Sequence, residues 1–215
     1  MKRATVRRSP KDDRYNSLPR LFLYHRGLED ALRDGATVLT SEGLAARVGR
    51  GVSPAQIRKD LSNLGTFGRR GRGYDVVFLV KKLARVLGLD RDWRIVIAGF
   101  GYLGHALATF LEFREEKFHI AGIFDVDAAL VGTQWHGVRI SHADDMEKIL
   151  PVLGCGIGIV TVPAAAAQTV AKRMVGCGVT ALLNFAPTSL SLPRSVAVRT
   201  IDLASELSIL THHLS

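Results

Sequence analysis

A chain of 215 residues, 47% of them apolar, is long enough for one large domain or two small ones, each with its own core. No run approaches the ~20 apolar residues that span a bilayer and no basic-then-apolar leader opens the chain, so membrane and secretory classes are set aside and a cytoplasmic address is expected. The net charge of +9 is uneven: Met1 to Arg94 holds 21 Lys/Arg against 10 Asp/Glu, whereas Ile95 to Ser215 holds 8 against 10. A basic first half joined to a near-neutral second half suggests a nucleic-acid-binding module joined to a module with another task. Cys155 and Cys177 have neither metal spacing nor a disulfide framework, so buried free thiols and no metal site are expected.

Residues 1–16 are mostly basic without apolar periodicity and read as an arm suited to phosphate contacts. From Ser17, placed as an N-cap, Leu18, Leu21, Phe22, Leu28 and Leu32 recur at helical spacing and predict a first helix ending at Asp34-Gly35. Thr40 or Ser41 caps a short second helix through Leu44, Ala45 and Val48, which Gly49 stops. Ser53-Pro54 opens a third, Pro54 to Leu64, with Ser as cap and Pro at the first helical position. On that helix Ile57, Leu61 and Leu64 share one arc, and Ala55, Lys59 and Ser62 lie opposite with Arg58 beside them. Two short helices of this kind match a helix-turn-helix reader; the alternative is the solvated face of an ordinary three-helix bundle. Gly65 to Val76 then holds four glycines, three arginines and two aromatics, which predicts a hairpin wing with Arg69, Arg70 and Arg72 near its tip. Val76 to Leu87 reads as a further helix closed by Gly88.

The second half opens on a β-branched strand running into Gly99-Phe-Gly101-Tyr-Leu-Gly104 and a helix, the dinucleotide fingerprint in its proper setting. Gly99 serves the tight turn, Gly101 admits a pyrophosphate to the backbone, and Gly104 lets the helix lie against the strand. A next strand, His119 to Asp125, ends in an acid 21 residues after Gly104, the distance expected of a carboxylate that accepts from ribose hydroxyls. No Arg stands nearby for a 2′-phosphate, which favours NAD(H) over NADP(H). Two more strands end in Thr161-Val162-Pro163 and Asn184-Phe185-Ala186-Pro187, at the strand ends where such folds bind ligands or simply terminate. Ser195 to Ile201 predicts a last strand, and Asp202 caps a final helix with Leu203, Leu207 and Leu210.

Ile57-Arg58-Lys59-Asp60-Leu61-Ser62, Gly71-Arg72-Gly73-Tyr74 and the Gly99–Gly104 turn together resemble the Rex redox-sensing transcriptional repressors, from about Leu18 to Ile209. The resemblance implies an α/β chain: a winged helix-turn-helix domain at 17–88, a Rossmann-like NAD(H)-binding domain at 89–201, and a C-terminal helix at 202–215 swapped across a homodimer. It implies DNA contacts from Ser53, Ala55, Gln56, Arg58, Lys59, Ser62 and the wing arginines. Cofactor contacts would come from Gly99, Phe100, Gly101, Tyr102, Leu103, Gly104, Asp125 and Val126. Thr161, Val162, Pro163, Asn184, Phe185 and Ala186 would line the nicotinamide side. It further implies a switch pair, Arg26 with Asp202 of the other subunit, and release of operator DNA when NADH replaces NAD+. Phe110 and Leu203 stand where better-known relatives place a Tyr and a Phe.

Two alternatives compete. A small NAD-dependent dehydrogenase needs a substrate domain and a general acid or base opposite the nicotinamide, and His105, His119, His136 and His142 are not so placed, so no catalytic residue is expected. A DNA-binding regulator sensing coenzyme A or another nucleotide is the second, because the glycine turn suits any phosphate.

Overall fold

The computed structural model describes residues 10–49, 51–65, 68–69, 73–114 and 117–212. It divides into two compact units between Arg91 and Asp92. The first contains α1 (Pro10–Arg33), β1 (Val38–Leu39), α2 (Ser41–Val48), α3 (Pro54–Ser62), β2 (Gly68–Arg69), β3 (Gly73–Asp75) and α4 (Val76–Leu87).

Helix α1 begins at Pro10, so Ser17 is an internal, buried residue and not a cap, and residues 10–16 of the supposed arm are helical. A proline in the first turn forfeits no intrahelical bond. The shorter helices start as their caps dictate. Thr40 Oγ1 accepts from Gly43 N at 3.1 Å, Ser53 Oγ from Gln56 N at 3.1 Å, and Asp75 Oδ1 from Phe78 N at 2.8 Å. Leu21, Tyr24 and Leu28 of α1, Leu44 of α2, Ile57 and Leu61 of α3, and Val76, Leu79 and Leu83 of α4 form one core. Each such burial is worth roughly 1.5–3 kcal/mol, and the i, i+3, i+7 spacing on α1 and α4 sets which faces meet. Helix α3 stops at Ser62, so Leu64 lies in the turn after it. The three strands pair antiparallel in the order β1-β3-β2, with Leu39 opposite Tyr74 and Arg69 opposite Gly73.

The second unit contains β4 (Trp93–Ala98), α5 (Tyr102–Arg114), β5 (Phe118–Asp125), β6 (Gln134–Trp135), β7 (Val138–His142), α6 (Met146–Leu153), β8 (Ile157–Val160), α7 (Ala164–Gly176), β9 (Ala181–Asn184), β10 (Ala197–Thr200) and α8 (Leu203–His212). The strand order is β10-β9-β8-β4-β5-β7-β6, parallel except for the β6–β7 hairpin. Taking the parallel strands by their sequence, this is the doubly wound order of dinucleotide-binding folds. Both faces are covered: Ile95, Ile97, Ile123 and Ile159 pack into one layer with Ala108 of α5. Val96, Ala98, Phe124 and Val160 pack into the other with residues of α6 and α7. The hairpin β6–β7, for which the sequence reading has no counterpart, turns at His136-Gly137. Helix α8 exposes Leu203, Leu207, Ile209 and Leu210. Among the described residues no helix is long and apolar enough to cross a membrane.

Candidate functional site

Strand order reverses between β4 and β8, and the crevice beyond the carboxyl ends of those strands is where such sheets hold ligands. Backbone sterics build the turn there. Gly99 has φ +93°, and a Cβ on it would lie 2.8–2.9 Å from the Thr161–Val162 peptide. A Cβ on Gly104 would lie 2.0 Å from the Gly99 carbonyl oxygen, whereas one on Gly101 would meet nothing within 4 Å. Gly99 and Gly104 are demanded by the protein itself. Gly101 leaves open space beside the N-terminal amides of α5, where an anion is favoured.

Neighbouring strand ends hold this turn. Thr161 Oγ1 donates to the Ala98 and Gly99 carbonyls at 3.0 and 2.7 Å, and Thr161 N donates to Ala98 O at 2.9 Å. Asp125, at the end of β5, accepts from Phe100 N through Oδ2, and from Val126 N and Asp127 N through Oδ1 at 2.7 and 2.8 Å. Its carboxylate fixes the glycine turn to the next loop and keeps lone pairs for further donors. Tyr102, Leu103 and Val126 are exposed around the crevice. The Phe100 side chain is buried against Trp135 and His105, with ring centroids 6.0 and 5.4 Å away, so Phe100 offers the crevice only its backbone.

In the first unit, Ser53, Ala55, Arg58, Lys59 and Ser62 are exposed on α3. The inward face holds a polar cluster at its centre. Asp60 is buried and accepts from Arg20 Nε at 2.7 Å, Arg20 Nη2 at 2.9 Å, Tyr24 Oη at 2.8 Å and Gln56 Nε2 at 2.8 Å. Burial pushes the Asp60 carboxyl up, but these hydrogen bonds and the Arg20 charge outweigh it and hold it below its ordinary value. Hydrogen bonding to Asp60, against the cost of burial, raises Arg20; burial and then Asp60 raise Tyr24.

Comparison with known proteins matches residues 90–188 to the family profile "CoA binding domain" and residues 16–62 to "Putative DNA-binding protein N-terminus". The chain is 45% identical over 197 residues to the redox-sensing transcriptional repressor Rex of Streptomyces griseus, covering 92% of this chain and 77% of that one. The chain belongs to the Rex family. Among solved structures it is similar to RSP, a Rex-family repressor. The crystal structure of RSP with β-NAD+ and operator DNA matches at TM-score 0.86 and 33% identity, covering 98% of this chain and 94% of that one. The structure of RSP with β-NADH matches at TM-score 0.80 and 31% identity, covering 98% and 95%.

Within this Rex chain the expected site residues divide into those that gather at the crevice and those whose side chains turn into the fold. Gly99, Gly101, Gly104, Asp125 and Thr161 converge on one crevice. Asn184 is corrected: it is wholly buried, its Oδ1 accepts from Ala186 N at 3.0 Å, and its Nδ2 donates to Thr188 O at 2.8 Å and Ala186 O at 3.2 Å. Its amide shapes the turn that carries half-buried Phe185 and buried Ala186. Gln56 is also corrected, because its side chain turns inward to Asp60 and away from the exposed face. Val162 is half-buried and Pro163 exposed. Arg69 lies on β2, and Arg70 and Arg72 lie outside the described residues. Arg26 is exposed on α1. Asp202 caps α8, accepting from Ala204 N, Ser205 N and Ser205 Oγ at 3.0, 3.3 and 2.7 Å, which hold its carboxyl low. Burial pushes both cysteine thiols up, which disfavours the reactive thiolate. Among the described residues no group of three His, Cys, Asp or Glu is placed to hold a metal.

The residue that sequence reasoning missed is Asp60. Its signal was present: at 100° per residue it falls in the same arc as Ile57, Leu61 and Leu64, and an acid on an apolar arc requires a buried donor.

Two outcomes follow from these contacts. Gly104→Ala destabilises the second unit by about 2 kcal/mol or more, because the obstructing atom is backbone; urea unfolding measures it. Asp60→Asn costs about 3 kcal/mol by leaving Arg20 without its counter-charge. Because the folded carboxyl titrates below its unfolded value, that contribution is complete above about pH 4 and fades as pH falls through the folded pKa. Urea midpoints of wild type and Asp60→Asn therefore converge only in acid.

Proposed function

We propose that this chain is a homodimeric repressor that holds operator DNA through its first unit and releases it when NADH replaces NAD+ in its second. The match along 98% of the chain to RSP, solved with NAD+ and operator DNA and with NADH, carries the reading. A cytoplasmic setting, where DNA and the NADH pool meet, accompanies it, and chemical turnover forms no part of it.

Ser53, Ala55, Arg58, Lys59 and Ser62 on α3 address the major groove. Arg69 on β2, with Arg70 and Arg72 that follow it in sequence, addresses phosphates or the adjacent minor groove. In the other unit the open backbone at Gly101 and the α5 amides receive a pyrophosphate, and the remaining lone pairs of Asp125 receive ribose hydroxyls. Tyr102, Leu103 and Val126 border the crevice. Thr161-Val162-Pro163 and the turn at Phe185-Ala186 border the ring that distinguishes the two cofactor forms, planar and cationic when oxidised, neutral when reduced. An apolar border of this kind disfavours the cation. Moving a population from 99% DNA-competent to 1% requires NADH to prefer the released form by about 10⁴-fold, so the ring contacts must differ between the two protein states.

Helix α8 is the dimer element. An amphipathic helix of 10 residues with its leucines exposed is too short to persist alone, and a partner subunit supplies its groove. Arg26 on α1 and Asp202 at the head of the partner's α8 form the switch pair in this arrangement.

A labelled palindromic duplex with A·T-rich flanks tests the reading by fluorescence anisotropy. NADH lowers the anisotropy; equal NAD+ and coenzyme A do not. Release by coenzyme A, or indifference to all three, sinks the redox reading. Gly101→Ala keeps the wild-type unfolding midpoint, since a Cβ there meets nothing in the protein, yet weakens NADH binding about tenfold or more, ~1.4 kcal/mol. Leu207→Asp yields monomers in sedimentation and about 100-fold weaker duplex binding, because two half-sites are no longer linked.

A further inference from the structure

Helix α3 presents two adjacent cations on its exposed face, and their surroundings differ. Lys59 has no ion-pair partner among the described residues. Arg58 Nη1 donates to Ser41 Oγ at 2.7 Å and to Glu42 Oε1 at 3.0 Å, both in the first turn of α2. Ser41 is buried, and its hydroxyl lies 3.3 Å from both carboxylate oxygens of Glu42, so the guanidinium has a two-point seat on a fixed element. The seat lies where three parts of the reader meet. Tyr74 on β3, the strand that pairs with the wing, feels both charges: burial pushes its hydroxyl up, Arg58 pulls it down and Glu42 pushes it up. A backbone hydrogen bond, and donors that include Arg58, hold the Glu42 carboxyl below its ordinary value, so it is ionised wherever DNA binding is measured.

A carboxylate at the front of a helix-turn-helix opposes phosphates, and here it also occupies a cation that would otherwise reach for them. We propose that Glu42 is a specificity-determining residue: by parking Arg58 on α2, it disfavours contacts that offer charge alone and reserves that guanidinium for a base edge with two aligned acceptors. This rests on the repressor reading above. A phosphate that draws Arg58 away exchanges one ion pair for another and leaves Glu42 facing the polyanion. A guanine O6/N7 edge instead takes the fork of the guanidinium bidentately and offsets the lost pair. Lys59 supplies the charge-only contact that any sequence can accept.

The test compares Glu42→Gln with wild type on two duplexes across a range of salt: one selected by the wild-type chain from a randomised palindromic pool, and one shuffled to equal length and composition. Glu42→Gln is expected to bind the shuffled duplex about fivefold more tightly and the selected duplex less than twofold more tightly. Its salt slope on the shuffled duplex steepens by about one, the mark of one added phosphate contact. In an Arg58→Ala background the same substitution changes both affinities by one common factor. Equal gains on both duplexes in the Arg58 background, no gain, or weaker binding of the selected duplex overturns the proposal, since Glu42 would then act by general repulsion or merely orient Arg58. Unfolding midpoints equal to wild type keep the comparison on the folded reader. A wild-type chain that selects no duplex overturns the DNA-binding reading and with it the proposal, whereas one that holds its selected duplex regardless of NADH overturns the redox reading alone.

Discussion

The end of β4 has no room for a side chain, and much of the second unit is arranged around that fact. Gly104 sits against the Gly99 carbonyl, Gly99 against the Thr161 peptide, and the Thr161 hydroxyl closes on both carbonyls from β8. Asp125 ties the same turn to the end of β5 through Phe100 N. A turn held from both neighbouring strands fixes where the first amides of α5 point. An anion arriving there meets donors already in place, and little of its binding energy goes into ordering the loop. The space beside Gly101 is the part of this construction that the protein does not fill for itself.

The reader unit is fixed by the opposite chemistry. Where the glycine turn depends on atoms that are missing, α3 is anchored by a buried carboxylate with four donors. Arg20 and Tyr24 come from α1 and Gln56 from α3 itself, so the cluster sets the rotation of α3 relative to α1 and not only its distance. An apolar interface of the same size tolerates small rotations. A carboxylate with directed bonds to a guanidinium fork does not.

How far this was readable in the sequence depends on the range of the interaction. The Rossmann-like fold and the glycine turn were legible because a strand, three glycines at fixed spacing and an acid 21 residues on are local consequences of one ligand geometry. Thr40, Ser53 and Asp202 were legible as caps because a cap bonds two or three residues away. Asp60 was legible only as an acid on an apolar arc, because Tyr24 and Arg20, which hold it, lie 36 and 40 residues earlier on another helix. Asn184 was misassigned for a related reason: an amide at a strand end looks like a ligand group until the turn that uses all of it is seen. The start of α1 was misplaced because Ser17 reads locally as a cap, whereas the helix runs through it from Pro10.

The two kinds of anchoring constrain how a ligand can act on DNA binding. With α3 locked to α1 through Asp60, a cofactor in the second unit has little to change within the reader itself. In the proposed homodimer, what remains adjustable is the placement of one reader relative to its twin, and a palindromic duplex measures that placement to within a fraction of a helical turn. Rigidity inside the unit therefore makes the switch steep, because a displacement is not absorbed by soft packing before it reaches the DNA. In the proposed dimer the spacing between two copies is set by an element that belongs to one copy and packs on the other, and α8, whose apolar side chains are exposed in their own unit, suits that part.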